Sequence, residues 1–125
     1  MAPMFPVKTE GAHSAEFILS EAAGMRSRGA AWIQDPNVVA VGQPLKKIAA
    51  TSDTPEHYIP AVLGADCDAI SLYGGATSSG YDLNVAILVR DAEVNKNLIA
   101  WPAGMVQGEK TAGIARFATN GIIFR

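Results

Sequence analysis

Three short stretches of this chain carry residue types that could do chemistry: Gly74-Gly75-Ala76-Thr77-Ser78-Ser79-Gly80, Asp66-Cys67-Asp68, and Thr54-Pro55-Glu56-His57-Tyr58. The first sets Gly75 and Gly80 at the spacing of a phosphate-binding loop. Tyr81 and Asp82, however, stand where the lysine and the magnesium-binding hydroxyl belong, and an aspartate there repels phosphate. The stretch therefore predicts a loop between strands. In the second, strand alternation sends Cys67 to the face opposite both carboxylates, which predicts a buried thiol between two solvated acids and no metal cluster. The third holds His57, which with His13 completes the histidines of the chain. Neither has a carboxylate and a nucleophile arranged beside it, and no GxSxG elbow supplies a nucleophile. Both read as surface histidines. Trp32 and Trp101 sit among apolar neighbours and read as core or interface anchors. No constellation for catalysis emerges, no cofactor is implied, and the expectation is a protein that is not an enzyme.

The elements that would position these residues follow from period and punctuation. From Phe17 to Tyr73, β-favouring runs alternate with breakers: AAWI, VVAV closed by Gly42 and Pro44, YIPAVL closed by Gly64, and AISLY closed by Gly74 and Gly75. Pro60 places its run at a sheet edge or a bulge, since proline cannot donate to a ladder. The unbroken Val85-Ala86-Ile87-Leu88-Val89 predicts a central strand covered on both faces. After Asp91, the spacing of Val94, Leu98 and Trp101 predicts a short helix that stops at Pro102, with Asp91 or Asn95 as its cap. A second helix is predicted from Ile114, Phe117 and Ala118, ending near Asn120-Gly121 in a left-handed cap and followed by a terminal strand, IIFR. The class is α+β and β-rich: a small mixed β domain with two short helices.

Length and composition set the outer limits. The chain has 125 residues, 49% of them hydrophobic and 18% charged, which suits one core and one domain. Net charge is −2 and Lys46-Lys47 is the only adjacent basic pair, so no stripe of charge tracks a phosphate backbone and nucleic acid is not expected as a partner. The longest strongly apolar run is far short of the roughly 20 residues of a membrane helix, so no membrane span is expected, and the N-terminus lacks the apolar segment of a secretory signal. A single cysteine excludes an internal disulfide and fits a reducing compartment. Residues 1–16 mix Pro, Gly, Ser, Ala and charges without sustained period and are read as an arm outside a domain of residues 17–125.

Three segments in order, FILSEAAGMRSR, VAILVRDAEVNKNLIAWP and the terminal NGIIFR, resemble the bacteriophage head decoration protein D family, the capsid cement proteins of lambda-like phages. The most specific part combines Leu19-Ser20-Glu21 and Ser27-Arg28 with Val89-Arg90-Asp91-Ala92-Glu93-Val94-Asn95 and the closing Gly121-Ile122. At Gly29-Ala30-Ala31 the chain departs from the polar and β-branched residues that often follow the Ser-Arg pair in relatives. The resemblance implies a β-tulip-like fold, a homotrimer, and attachment through the major capsid protein to three-fold positions on the outside of an expanded head. It also implies that the protein is made in the host cytoplasm and carried in the virion.

By position in the chain, the resemblance assigns a capsid-binding arm to Pro3, Met4, Phe5, Pro6, Val7 and Lys8, continued by Phe17, Ile18 and Leu19. Both prolines fix φ, so the arm is already extended and loses less entropy on docking than a glycine-rich tail. Positions 3 and 6 have opposite parity, so one proline interrupts any ladder spanning both, and strand addition is expected to begin after Pro6, at Val7 to Thr9. The competing reading is a small trimeric ligand-binding or enzyme-accessory domain with Trp32, His57 and Tyr58 as its pocket.

Overall fold

The computed structural model describes residues 13–23 and 26–125. Its strands in chain order are β1 (Ile18–Glu21), β2 (Arg28–Ile33), β3 (Val38–Val39), β4 (Pro44–Ile48), β5 (His57–Pro60), β6 (Ala69–Ser71), β7 (Gly75–Ala76), β8 (Leu83–Leu88), β9 (Ala92–Val94) and β10 (Ile122–Phe124). One α-helix, α1 (Gln107–Ala118), and 3-10 turns at Gly64–Asp66 and Lys96–Leu98 complete the described elements. The domain is thus β-rich and mixed α+β.

Five strands close a barrel in the order β2-β5-β4-β6-β8. Its interior is written by alternation: β2 sends Ala31 and Ile33 inward and β8 sends Val85 and Ile87, where they meet Leu45, Tyr58 and Ala69. On β6 and β8 the intervening residues face a second core, whereas Ala30 and Trp32 of β2 are exposed. Ile70, Leu72 and Leu88 point out of the barrel and pack with Phe17, Val94, Phe117 and Ile122. β8 is therefore central in both senses expected of it, paired on one edge with β2 and on the other with β6, and covered on both faces.

The second core is roofed by a three-stranded sheet, β1-β9-β10, in which β9 runs antiparallel to β1 and parallel to β10. Parallel neighbours require a crossover, and α1 is that crossover. The helix buries Gly113 and Phe117, with the Phe117 ring stacked on Phe124 at a centroid distance of 5.5 Å. It ends as the sequence predicts: Gly121 adopts φ +78°, and its N–H donates to the Ala118 carbonyl at 3.0 Å before β10 begins.

Three expectations need correction. The segment after Asp91 forms no α-helix: Ala92–Val94 is β9, and a single 3-10 turn, Lys96–Leu98, follows. Val94 is fully buried between Ile18 and Phe124, and pairing on both sides outweighs three residues of helical spacing. Asn95 does cap, but it caps that turn, its side chain accepting from the Asn97 N–H at 3.0 Å. Pro60 lies neither at an edge nor in a bulge but at the end of an internal barrel strand. The parallel pairing of β5 with β2 is confined to Ile33 and Tyr58, so the ladder has run out before the missing proline N–H would be needed. Finally, Pro44 does not close a strand; it opens β4, a position where proline is tolerated.

Candidate functional site

The residues singled out for chemistry are dispersed, and most are already committed to structural contacts. In the glycine-rich loop, Asp35 occupies the donors a phosphate would need. One carboxylate oxygen accepts from Thr77 Oγ1 at 2.6 Å and the other from the Gly80 N–H at 3.1 Å. An anion supplied by the chain itself staples this stretch, which is a loop only in part, since Gly75–Ala76 forms β7 against β3.

Asp66, Cys67 and Asp68 lie not in a strand but where the Gly64–Asp66 turn hands over to β6, because Gly64 must pass directly beneath α1. The thiol is fully buried while the acids face cations: Asp66 pairs with Lys46 at 3.7 Å and Asp68 with Arg116 at 2.7 Å. Burial, with the nearby Asp68 and Asp66 carboxylates, pushes the Cys67 thiol up to about 11, so it stays protonated and unreactive near neutral pH.

His57 is buried rather than on the surface, since it opens barrel strand β5; its Nδ1 lies 3.0 Å from the Pro55 carbonyl. It lines a cleft of about 210 Å³ with Trp32, Gln34, Glu56 and Asp82. Tyr58, its neighbour, points the opposite way into the barrel interior. Trp32, His57 and Tyr58 therefore do not form one pocket. Trp32 is 53% exposed on the outer face of β2, whereas Trp101 packs on the second core against Phe124, at a centroid distance of 6.0 Å. The expected anchor role fits Trp101 by packing; Trp32 lies open.

Of the residues assigned to partner binding, Pro3, Met4, Phe5, Pro6, Val7 and Lys8 lie outside the described residues. Phe17, Ile18 and Leu19 differ sharply from one another. Phe17 is fully buried in the second core and its carbonyl accepts from the Asn95 N–H at 2.7 Å, so its side chain is a core anchor and offers no contact surface. Ile18 is half-buried against that core and pairs with Val94. Leu19, at the irregularity between Ile18 and Ser20, is 54% exposed. Among the described residues β1 is an edge strand, bonded to β9 on one side only.

Ion pairs between separate segments of the chain fasten this edge. Glu21 accepts from the Arg28 guanidinium and from Ser27 Oγ at 2.8 Å, and Glu93 accepts from Arg125 at 2.8 Å and Ser20 Oγ at 3.1 Å. Hydrogen bonds from Arg28, and secondarily from Ser27, hold the Glu21 carboxyl below its ordinary range against the opposing effect of burial. The signal was present in Leu19-Ser20-Glu21 and Ser27-Arg28, but nothing local says that those segments meet.

The described residues thus form a rigid β scaffold with apolar side chains exposed on its loops and edges, among them Leu19, Val38, Val62, Leu63 and Val106. The chain belongs to the bacteriophage lambda head decoration protein D family, whose family model matches residues 7–122. It is thereby placed among the structural proteins that decorate phage heads. No curated protein and no solved structure matched the chain.

Proposed function

We propose that this protein is a non-catalytic capsid cement. It binds as a homotrimer to the major capsid protein at three-fold positions on the outer surface of the expanded head and stabilises the shell. The observation that carries the reading is the family match over residues 7–122. The edge at β1 is compatible with it, because the preceding residues lead into that strand past Ala15, which packs on the second core and donates its N–H to the Leu72 carbonyl at 2.9 Å.

In this reading Pro3 to Lys8 dock on the capsid, with Leu19 extending the contact. Burial of Met4, Phe5 and Val7 favours binding by roughly 1.5–3 kcal/mol per side chain before ordering costs. Three arms on one trimer act at high effective concentration, so modest individual affinities suffice. Co-sedimentation with empty expanded capsids tests the proposal. The full chain is expected to pellet with the shells, and a variant lacking residues 2–8 to bind at least about tenfold more weakly while keeping its circular dichroism spectrum. Equal binding by the deletion variant removes the arm from the account; failure of the full chain to bind expanded capsids removes the cement reading itself.

A further inference from the structure

Six of the nine described lysines and arginines are neutralised by a carboxylate within the domain. Arg26, Arg28, Lys46, Lys47, Arg116 and Arg125 each pair with a carboxylate. Arg90 donates to the Arg26 carbonyl at 2.8 Å. Among the described residues, Lys96 and Lys110 are left with neither an ion pair nor a hydrogen bond from their ammonium groups. They converge: both line one groove of about 360 Å³ between the Lys96–Leu98 turn and α1, with Asn97, Gln107, Trp101 and Ile114.

The local sequence explains the convergence. Gln107, Lys110 and Ile114 recur at i, i+3 and i+7 and so share one face of α1. Asn95 caps the turn that presents Lys96 and Asn97 opposite them. Trp101 is pressed toward the helix at Gly113, where a Cβ would come within 3.1 Å of its ring, leaving the indole as an apolar wall. The acid next to Lys110 is turned away: Glu109 accepts from the Gly64 N–H at 2.6 Å on the other flank of the helix. Glu93, on the neighbouring sheet, is held by Arg125 and Ser20. Among the described residues no Asp or Glu side chain lines the groove; the Arg125 main-chain oxygen beside it accepts from the Lys96 backbone N–H at 3.1 Å.

We propose that this groove is a docking site for an acidic segment of another protein chain, with carboxylates on Lys96 and Lys110 and one apolar side chain against Trp101 and Ile114. Charge complementarity selects the occupant, since two ammonium groups set beside an apolar wall match an acidic peptide with a hydrophobic residue in it. The side amides of Asn97 and Gln107 can bond an extended backbone. A free phosphate would use the lysines but leave the wall uncovered, and a nucleic acid requires more cations than two on a chain of net charge −2. The site is separate from the proposed arm, so it stands or falls independently of capsid binding through residues 3–8.

The test uses the full chain carrying Trp32→Phe, so that Trp101 is the sole tryptophan, titrated with the peptide acetyl-Glu-Glu-Leu-Glu-Glu-amide at low salt. A saturable change in Trp101 emission is expected. It should weaken at least about tenfold in the double variant Lys96→Glu, Lys110→Glu, and also on raising ionic strength to roughly 0.2 M, while Lys46→Glu leaves it unchanged. The milder pair Lys96→Gln, Lys110→Gln should weaken binding in the same direction, which guards against misfolding of the charge-reversed protein. Absence of saturable binding overturns the proposal. So does equal affinity for the neutral peptide with Gln in place of Glu, or for inorganic phosphate alone, the latter marking a small-anion site instead.

Discussion

Gly64 is the residue whose replacement tests most directly how the helix is seated. It is buried where the Gly64–Asp66 turn passes under α1, and a Cβ there would lie 2.7 Å from the Ala112 Cβ and 2.8 Å from the Gly113 nitrogen, with the Glu109 carbonyl oxygen closer still. Two of those three atoms belong to the helix backbone, which cannot rotate aside, so Gly64→Ala must push the helix off the turn. Overpacking of this kind costs about 1–3 kcal/mol. Distorting the charge-assisted bond from the Gly64 N–H to Glu109 at 2.6 Å adds about 1 kcal/mol or more. The usual benefit of Gly→Ala, about 0.4–1 kcal/mol from a restricted unfolded chain, recovers only part of this. The net loss is about 1–3.5 kcal/mol, equivalent to roughly 3–17 °C in Tm for a domain of this size. Gly108→Ala is the control, because nothing lies within 4 Å of its Cβ and the helix should gain up to about 1 kcal/mol. Urea and thermal unfolding, both at one fixed protein concentration because self-association raises apparent stability, give the comparison. A Gly64→Ala protein that melts within about 2 °C of the parent would refute the reasoning.

Other consequences are equally open to measurement. Cys67, buried with its thiol pushed up to about 11, should fail to react with an aromatic disulfide reagent at pH 8 on the timescale of minutes and react fully once urea unfolds the chain; prompt stoichiometric labelling of the folded protein contradicts this. Phe17→Ala should cost about 3–5 kcal/mol by urea unfolding, whereas Leu19→Ala, at a side chain 54% exposed, should change stability by less than about 0.5 kcal/mol; similar values for the two would show Phe17 misplaced. Because Glu21 titrates below its ordinary value of 4.5 in the folded protein, its contribution is present above that value and is lost as pH falls through the lower one. Urea midpoints at pH 7 and pH 3 should therefore differ less in Glu21→Gln than in the parent, by under about 1 kcal/mol because the pair with Arg28 is open to solvent. An unchanged difference would mean that the pair does not form.

What was legible in the sequence was whatever a single segment decides for itself. The run Val85 to Val89 announces a two-sided strand because every residue is apolar, and the Asn120-Gly121 stop is legible because a left-handed cap needs a residue that tolerates φ near +78°. The failures fall where distant partners decide. Val94, Leu98 and Trp101 have helical spacing, yet Val94 is claimed by β1 and β10 from either side. Pro60 reads as an edge residue, yet β5 is internal, because the register with β2 ends at Tyr58. His57 reads as exposed within a polar stretch, yet it opens a barrel strand and is buried by neighbours the stretch itself does not name.

The same division governs the contact surfaces. A catalytic centre advertises itself through reactive side chains, but a contact surface is recognised by what the fold leaves uncompensated, and that can be read only after every internal pairing is known. Phe17 shows the cost of judging from residue type: an aromatic beside an arm reads as a contact residue, and the fold spends it on the core at full burial. Lys96 and Lys110 show the reverse. In the sequence they are two of ten cations, indistinguishable from Arg90 or Arg116. Only once Asp66 has taken Lys46, Asp68 has taken Arg116 and Glu109 has turned to Gly64 do two unneutralised ammonium groups remain beside the indole of Trp101. Their significance lies in the carboxylates that the domain has already used elsewhere.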